Sequence, residues 1–169
     1  MEYLVLGFFT GLSLILAIGA QNIFVIEQGL KKQHIFLVCL ICSISDLILI
    51  FFGIFLFYFF HQYLNLFLEL VLNILLIIFL IHFIYSKIKS LKIKVNFNSE
   101  IKDVSRTEIL LKTLGFTYLN AHVYSDTVFF LGNFSKSFLL NEKIYFGIGA
   151  SISSFIFFFL LGYLSTYFS

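Results

Sequence analysis

Two acidic residues, Asp46 and Asp126, interrupt long apolar stretches of this 169-residue chain. A carboxylate at the centre of a lipid bilayer costs about 3 kcal/mol or more, so it is retained where something polar or positively charged pairs with it. His122 lies four residues before Asp126 on the same face of a helix, and the two side chains can share a hydrogen bond. These residues predict a site that holds a cation or a proton within a membrane.

Neutral polar side chains accompany the two acids. Gln21 and Asn22 lie in the first apolar stretch, and Asn120 lies just before His122. At about 1.5 Å of rise per residue, Gln21 and Asn120 lie about 8 and 10 Å from one membrane surface, and the acids lie about 16 to 20 Å deep. The pattern predicts a polar route to the midplane. The alternative is that these groups only join helices through hydrogen bonds worth about 0.6 kcal/mol each.

Asn120 and His122 point in directions that differ by about 200° on a continuous helix. Both can therefore face one pathway only if the helix is interrupted between them, and spacing alone leaves that open.

The composition identifies the solvent in which these residues are placed. The chain is 60% hydrophobic and 12% charged, whereas ordinary globular domains have about 45 to 50% apolar and about 25% charged residues. A soluble domain of this size could not cover so much apolar surface. We therefore predict an all-α integral membrane protein that is surrounded by a lipid bilayer.

Other classes of protein fit poorly. The basic stretch 87–112 also carries acidic residues and offers no aromatic platform for bases, which argues against a nucleic-acid partner. No Ser or Cys lies in a recognisable catalytic motif, which argues against an enzyme. His122 and Asp126 on one helix do not make a metal site, and we expect no cofactor. Cys39 and Cys42 are interpreted as packing residues.

About five apolar runs are long enough to cross a hydrocarbon core of about 30 Å. They are 4–26, 35–60, 64–85, 113–134 and 144–168. We divide the chain into a first three-helix half (1–85), a basic linker (86–112) and a second half with two spans (113–169). Gly7 and Gly11 on the first span, and the small residues from Gly147 to Ser153 on the last, predict close helix packing.

The distribution of positive charge predicts the orientation. Nine of the eleven Lys and Arg residues fall in the segments 27–34 and 86–112. Positively charged loops stay in the cytoplasm. We therefore expect both segments to be cytoplasmic and the N-terminus to lie outside.

Three ordered motifs resemble the LysE/ArgO-type basic amino acid exporters. The resemblance covers essentially the whole chain, and its residues are Gly19-Ala20-Gln21-Asn22, Cys42-Ser43-Ile44-Ser45-Asp46 and Asn120-Ala121-His122-Val123-Tyr124-Ser125-Asp126-Thr127. The chain has Ala121 where that family has a proline. The resemblance implies an inverted pair of three-helix halves, and this chain ends at Ser169, after its fifth predicted span, so that the sixth helix is expected to be missing.

The resemblance also implies a function, and a location in the cytoplasmic (inner) membrane of a bacterium. It suggests export of L-lysine or L-arginine driven by the proton-motive force, with the amino acid and protons as partners. Asp46 and Asp126 would then alternate between the substrate's charge and a proton, while Gln21, Asn22 and Asn120 would contact the substrate's polar groups. The sequence leaves open whether the protein forms a homo-oligomer. The alternative is a truncated, non-transporting membrane protein, or a subunit that needs a partner.

Overall fold

The computed structural model describes residues 1–17, 19–60, 74, 77, 78, 81 and 105–168, with only the backbone of Phe60 and Ala121. These residues are almost entirely helical and form no strand, which confirms the all-α prediction. The helices are α1 (Glu2–Ile15), α2 (Ala20–Leu30), α3 (Ile35–Phe60), α4 (Arg106–Tyr118), α5 (Ala121–Val123), a π-helix (Tyr124–Phe130), α6 (Leu131–Phe134), α7 (Leu140–Ser165) and a 3₁₀ turn (Thr166–Phe168).

Two helices are long and apolar enough to cross a membrane, at Ile35–Phe59 and Leu140–Phe168. A third span results if α1 and α2 are counted together. Helix α3 covers the same residues as the span predicted at 35–60, and α7 begins four residues before the predicted 144. The span predicted at 64–85 and most of the linker lie outside the described residues, although residues 74, 77, 78 and 81 are helical.

The first predicted span is interrupted, which corrects the expectation of one continuous helix over 4–26. Helix α1 ends at Ile15, α2 begins at Ala20, and their axes differ by 79°. The side-chain amide of Asn22 donates hydrogen bonds to the carbonyls of Ile15 (3.0 Å) and Ala17 (3.2 Å). Because the last carbonyls of a helix have no partner within it, Asn22 stabilises the break by satisfying two of them.

The span predicted at 113–134 is interrupted, which answers the question that the spacing of Asn120 and His122 left open, and its helix begins before the apolar run, at Arg106. Helix α4 begins after Ser105, whose hydroxyl accepts a hydrogen bond from the Glu108 amide (3.3 Å), and it ends at Tyr118. The chain resumes its helix at Ala121, where the Asn120 side chain accepts a hydrogen bond from the His122 amide (3.2 Å). An Asn cap therefore accompanies this break in a chain that lacks proline.

Small residues set the distance between the packed helices. A Cβ added at Gly11 would lie 2.9 Å from the Ala150 Cα, and one added at Gly149 would overlap the Leu4 carbonyl. The close packing of α1 on α7 that the glycines predict is therefore present. Gly53 of α3 likewise allows the π-helix to approach, since its added Cβ would lie 2.6 Å from the Val128 Cα.

Polar residues lie inside the bundle and many large apolar residues lie outside. Phe9, Phe52 and Phe59 are 63%, 56% and 66% exposed, whereas Ser43 and Asp46 are at most 3% exposed. This arrangement suits a molecule whose surroundings are lipid, because apolar side chains on its surface lose nothing there. Cys39 and Cys42 are buried free thiols among these helices.

Candidate functional site

A cavity lies where the two interrupted helices meet α3 and α7. It holds about 360 Å³ of empty space, counting its open mouth. The polar side chains on its wall are Gln21, Asn22, Asp46, Asn120, His122, Asp126 and Thr127. The apolar part comes from residues such as Leu14, Val123 and Phe158. All six residues that the sequence marks as candidate ligands therefore lie around one cavity, although five come from four separate helices and Asn120 comes from the break between two of them.

Asp46 is the deepest charged group of this site. It is 3% exposed, and its Oδ2 accepts a hydrogen bond of 2.8 Å from the Ser154 hydroxyl. Its second oxygen, Oδ1, is buried and has no hydrogen-bond partner among the described residues. The Gln21 side chain lies beside this carboxylate, and the Gln21 Nε2 is also buried without a partner in the described part of the chain. The two unpartnered atoms therefore belong to neighbouring side chains, and a small rotation would let the Gln21 amide donate to Asp46.

Asp126 is less buried than Asp46 and has a partner that can become positively charged. Its Oδ2 lies 2.9 Å from the His122 Nδ1, and the two side chains are 21% and 39% exposed. Asp126 belongs to the π-helix, in which each turn holds more residues than in an α-helix. Such insertions are rare and are frequently found at functional sites. Thr127, the next residue, points its hydroxyl back to the Val123 carbonyl at 2.7 Å.

The helix breaks explain how Asn120 and His122 can reach the same cavity. The two residues would face different directions on one continuous helix. Here Asn120 lies between α4 and α5, outside any helix, and both residues contribute to the cavity wall. Asn22 and Asn120 each cap a helix end as well. Each of these two residues therefore both stabilises a helix break and lines the cavity.

Helix ends add to the electrostatics of the cavity. The C-terminal end of α1 reaches it through Leu14, Ile15 and Ala17. A helix C-terminus carries a partial negative charge, which adds to the charge of the two carboxylates. The first residues of α2, from Gly19 onward, bring a helix N-terminus with unpaired backbone N–H groups to the same cavity. The cavity therefore offers partners for a cation and, close by, for an anion.

Sequence reasoning missed Ser154 as a neighbour of the site. It places Ser151 and Ser153 on a small-residue face of the last span, but assigns Ser154 no separate role. The signal available was a third hydroxyl in one turn of an otherwise apolar helix. Ser43, which belongs to the same motif as Asp46, is fully buried and does not line the cavity. The described residues include no cluster of three or more His, Cys, Asp or Glu that could hold a metal.

Interrupted helices around a buried polar cavity within an apolar bundle are the features of a membrane transporter. The chain belongs to the LysE type translocator family, whose model matches residues 12–169. It is 31% identical to the arginine exporter protein ArgO of Salmonella typhimurium over 99% of this chain and 80% of that protein. The ArgO protein of Salmonella enteritidis PT4 is 30% identical over the same shares. No solved structure matches the chain.

Membership of this family makes the protein a membrane translocator, not an enzyme. It also confirms the family assignment that the three motifs suggested. The motifs contribute all six polar candidates to the cavity wall.

Proposed function

We propose that this protein exports L-arginine, and with it L-lysine, across the cytoplasmic membrane of a bacterium. The observation that carries the proposal is the meeting of Asp46 and Asp126 in one cavity. A cation that leaves water for the interior of a membrane protein needs an anionic partner there. The arginine exporters among the relatives of this chain favour a basic amino acid as that cation.

The cavity has a partner for each charged part of such a substrate. The unpaired Oδ1 of Asp46 would accept hydrogen bonds from the guanidinium or ammonium group. The N-terminus of α2 would bind the α-carboxylate, as half-helix N-termini do in other transporters. The Gln21 amide lies beside Asp46, and Asn22 and Asn120 lie on the same wall, where they would contact the remaining polar groups.

Proton exchange would supply the driving force. Moving one positive charge outward against an inside-negative potential costs about 2.3 kcal/mol per 100 mV. An inward proton carried on Asp46 or Asp126 would cancel this electrical cost. Substrate and proton would then occupy the same carboxylates in turn, since each neutralises the acid that the other leaves.

The orientation follows the positive charges. With Lys31 and Lys32 at the end of α2 and Arg106 and Lys112 on α4 in the cytoplasm, the N-terminus lies outside. Both interrupted helices would then present their charged ends to the cytoplasm, from which the substrate is loaded.

Efflux from preloaded cells tests this function. The chain is expressed in bacteria without an arginine exporter of their own, and the loss of labelled arginine, lysine and a neutral amino acid is followed. Wild-type protein should speed the loss of arginine and lysine only. Asp46→Asn or Asp126→Asn should reduce that efflux at least about 30-fold, because a lost partner of a buried charge costs about 2 to 5 kcal/mol.

Glu27→Gln is the matched control, since Glu27 is an exposed acid paired with Lys31 on the surface of α2. It should export at the wild-type rate when protein levels in the membrane are equal. No acceleration by the wild-type chain, or full export by both Asp variants, would contradict the proposal.

A further inference from the structure

Three serines in one turn of α7 are buried alike and differ in where their hydroxyls point. Ser151 and Ser153 donate hydrogen bonds within their own helix, to the carbonyls of Gly147 (2.8 Å) and Ala150 (2.7 Å). Ser154 instead donates to Oδ2 of Asp46 on α3, at 2.8 Å. Ser153 and Ser154 are fully buried, and Ser151 is 4% exposed. Only Ser154, of the three, links α7 to the charged group of the cavity.

The bond divides the two oxygens of Asp46 into separate roles. Oδ2 is occupied by the Ser154 hydroxyl, while Oδ1 has no partner in the described part of the chain. A carboxylate that is hydrogen-bonded through one oxygen rotates less freely, so the position of its second oxygen is fixed as well. Ser154 does not itself line the cavity, whereas Asp46 does. It therefore acts through Asp46 and not on a ligand.

The position of Ser154 is in turn fixed by helix packing. Ala150 and Ser153 lie four residues and one residue before Ser154, and they contact the backbone of α1 at Gly11. A Cβ added at Gly11 would lie 2.7 Å from the Ser153 Oγ. Helices that touch through small residues cannot slide without clashes. The hydroxyl is thus held by the close packing of α7 on α1, the first segment of the interrupted first span.

We propose that Ser154 is a positioning residue that holds Asp46 by Oδ2 and so directs Oδ1 toward the positively charged group of the substrate. The proposal rests on the proposed export function. It adds a residue on α7, in the fifth predicted span, to a site that the motifs place on the first, second and fourth predicted spans.

Efflux kinetics of serine variants test it. Ser154→Ala should lower the efflux rate at subsaturating internal arginine about ten- to hundredfold, the effect of losing a hydrogen bond to a charged group. Ser154→Thr keeps the hydroxyl and should export far better than Ser154→Ala. Ser151→Ala and Ser153→Ala lose only hydroxyls bonded to their own helix, and should stay within about twofold of wild type. Protein levels in the membrane are measured for every variant.

Carbodiimide labelling gives a second measurement that does not require transport. These reagents modify protonated carboxyl groups, and mass spectrometry shows which residue reacts. Loss of the donor at Oδ2 should make Asp46 easier to protonate, so its labelling at neutral pH should rise in Ser154→Ala and stay at the wild-type level in Ser151→Ala.

The outcomes separate the two proposals. Failure of the wild-type chain to export would overturn the export function, while changed Asp46 labelling in Ser154→Ala would still support the positioning role. Wild-type export together with unchanged efflux and labelling in Ser154→Ala would overturn the positioning role and leave the export function standing. Equal losses in all three Ala variants would also overturn it, because packing alone would then explain them.

Discussion

The Nδ1 of His122 lies 2.9 Å from Oδ2 of Asp126, whereas Oδ2 of Asp46 is bonded to the uncharged hydroxyl of Ser154. The two acids of the cavity therefore differ in kind. His122 can become positively charged and neutralise Asp126, while no described side chain within hydrogen-bonding distance can do so for Asp46. Asp46 is therefore the acid of the cavity that lacks a cationic partner among the described residues, whereas Asp126 has one in His122.

Replacement of His122 should change the pH dependence of export. At low internal pH a protonated His122 would neutralise Asp126 and weaken cation binding, so wild-type efflux should fall toward pH 5. His122→Asn keeps a hydrogen-bond donor but cannot become charged, and its fall should be shallower. Arginine efflux is measured between internal pH 5 and 8. His34→Asn is the control, because His34 has a φ of 48°, which Asn tolerates. Superimposable profiles of wild type and His122→Asn would refute this role.

Gly53 of α3 should not tolerate a side chain. In Gly53→Ala the added Cβ would lie 2.6 Å from the Val128 Cα and 2.9 Å from the Thr127 carbonyl oxygen. Pushing the π-helix away should destabilise the protein by about 1 to 3 kcal/mol and lower export, since Asp126 precedes Thr127. Thermal loss of helical circular dichroism in detergent measures the effect.

Gly115→Ala serves as the comparison for Gly53→Ala. A Cβ at Gly115 meets nothing within 4 Å, so alanine there should stabilise α4 by about 0.5 to 1 kcal/mol. A similar melting temperature for the two variants would show that the contact at Val128 does not limit the packing.

Asn22 should be needed to hold the break between α1 and α2. Asn22→Ala removes both donors to the Ile15 and Ala17 carbonyls, which should cost about 1 to 3 kcal/mol and reduce export. Asn22→Asp has nearly the same shape without the donors and should behave alike. Asn141→Ala changes an exposed residue at the start of α7 and should have no effect. Melting temperature and efflux are measured together, and wild-type values in Asn22→Asp would show that the amide hydrogens are dispensable.

Lys143 should stabilise the end of the fourth span and not serve as a loop charge. It is 1% exposed, and its Nζ donates to the Ser135 carbonyl and to the Lys136 carbonyl (2.8 Å), just beyond the end of α6. Lys143→Met keeps the length of the side chain and should cost about 1 to 3 kcal/mol, because two carbonyls lose a charged donor. Lys112→Met, at an exposed ion pair with Glu108, should leave the melting temperature within about 1 °C of wild type. Equal melting temperatures for the two Met variants would contradict this role.

The parts of the fold that are continuous were the easiest to predict. Helix α3 needs nothing beyond its own apolar residues, and its bounds agree with the predicted span. The first span was predicted as continuous, and a break in the fourth was left open, because hydropathy does not register a helix break. The side chains of Asn22 and Asn120 supply hydrogen bonds to the backbone at these breaks. Each break therefore takes only a few residues, and the apolar run around it stays long.

The candidate site was predictable as a set of residues and not as an arrangement. Polar groups stand out in apolar runs, so Asp46, Asp126 and their neutral neighbours were identified from the chain alone. Ser154 is one hydroxyl among several on its helix, and nothing local distinguishes it. Its bond to Asp46 joins residues 108 positions apart, a contact that depends on how α7 packs.

Composition and motifs are enough to assign this chain to a lipid environment and to a translocator family, because both depend on residue types that act independently of distant partners. The cavity, the free Oδ1 of Asp46 and the special place of Ser154 arise only when the helices are packed, since small residues such as Gly53 and Gly149 set how closely the backbones approach. The free energy of partition into lipid is a sum over residues. A binding site depends instead on the directions in which side chains point, and helix packing decides those directions.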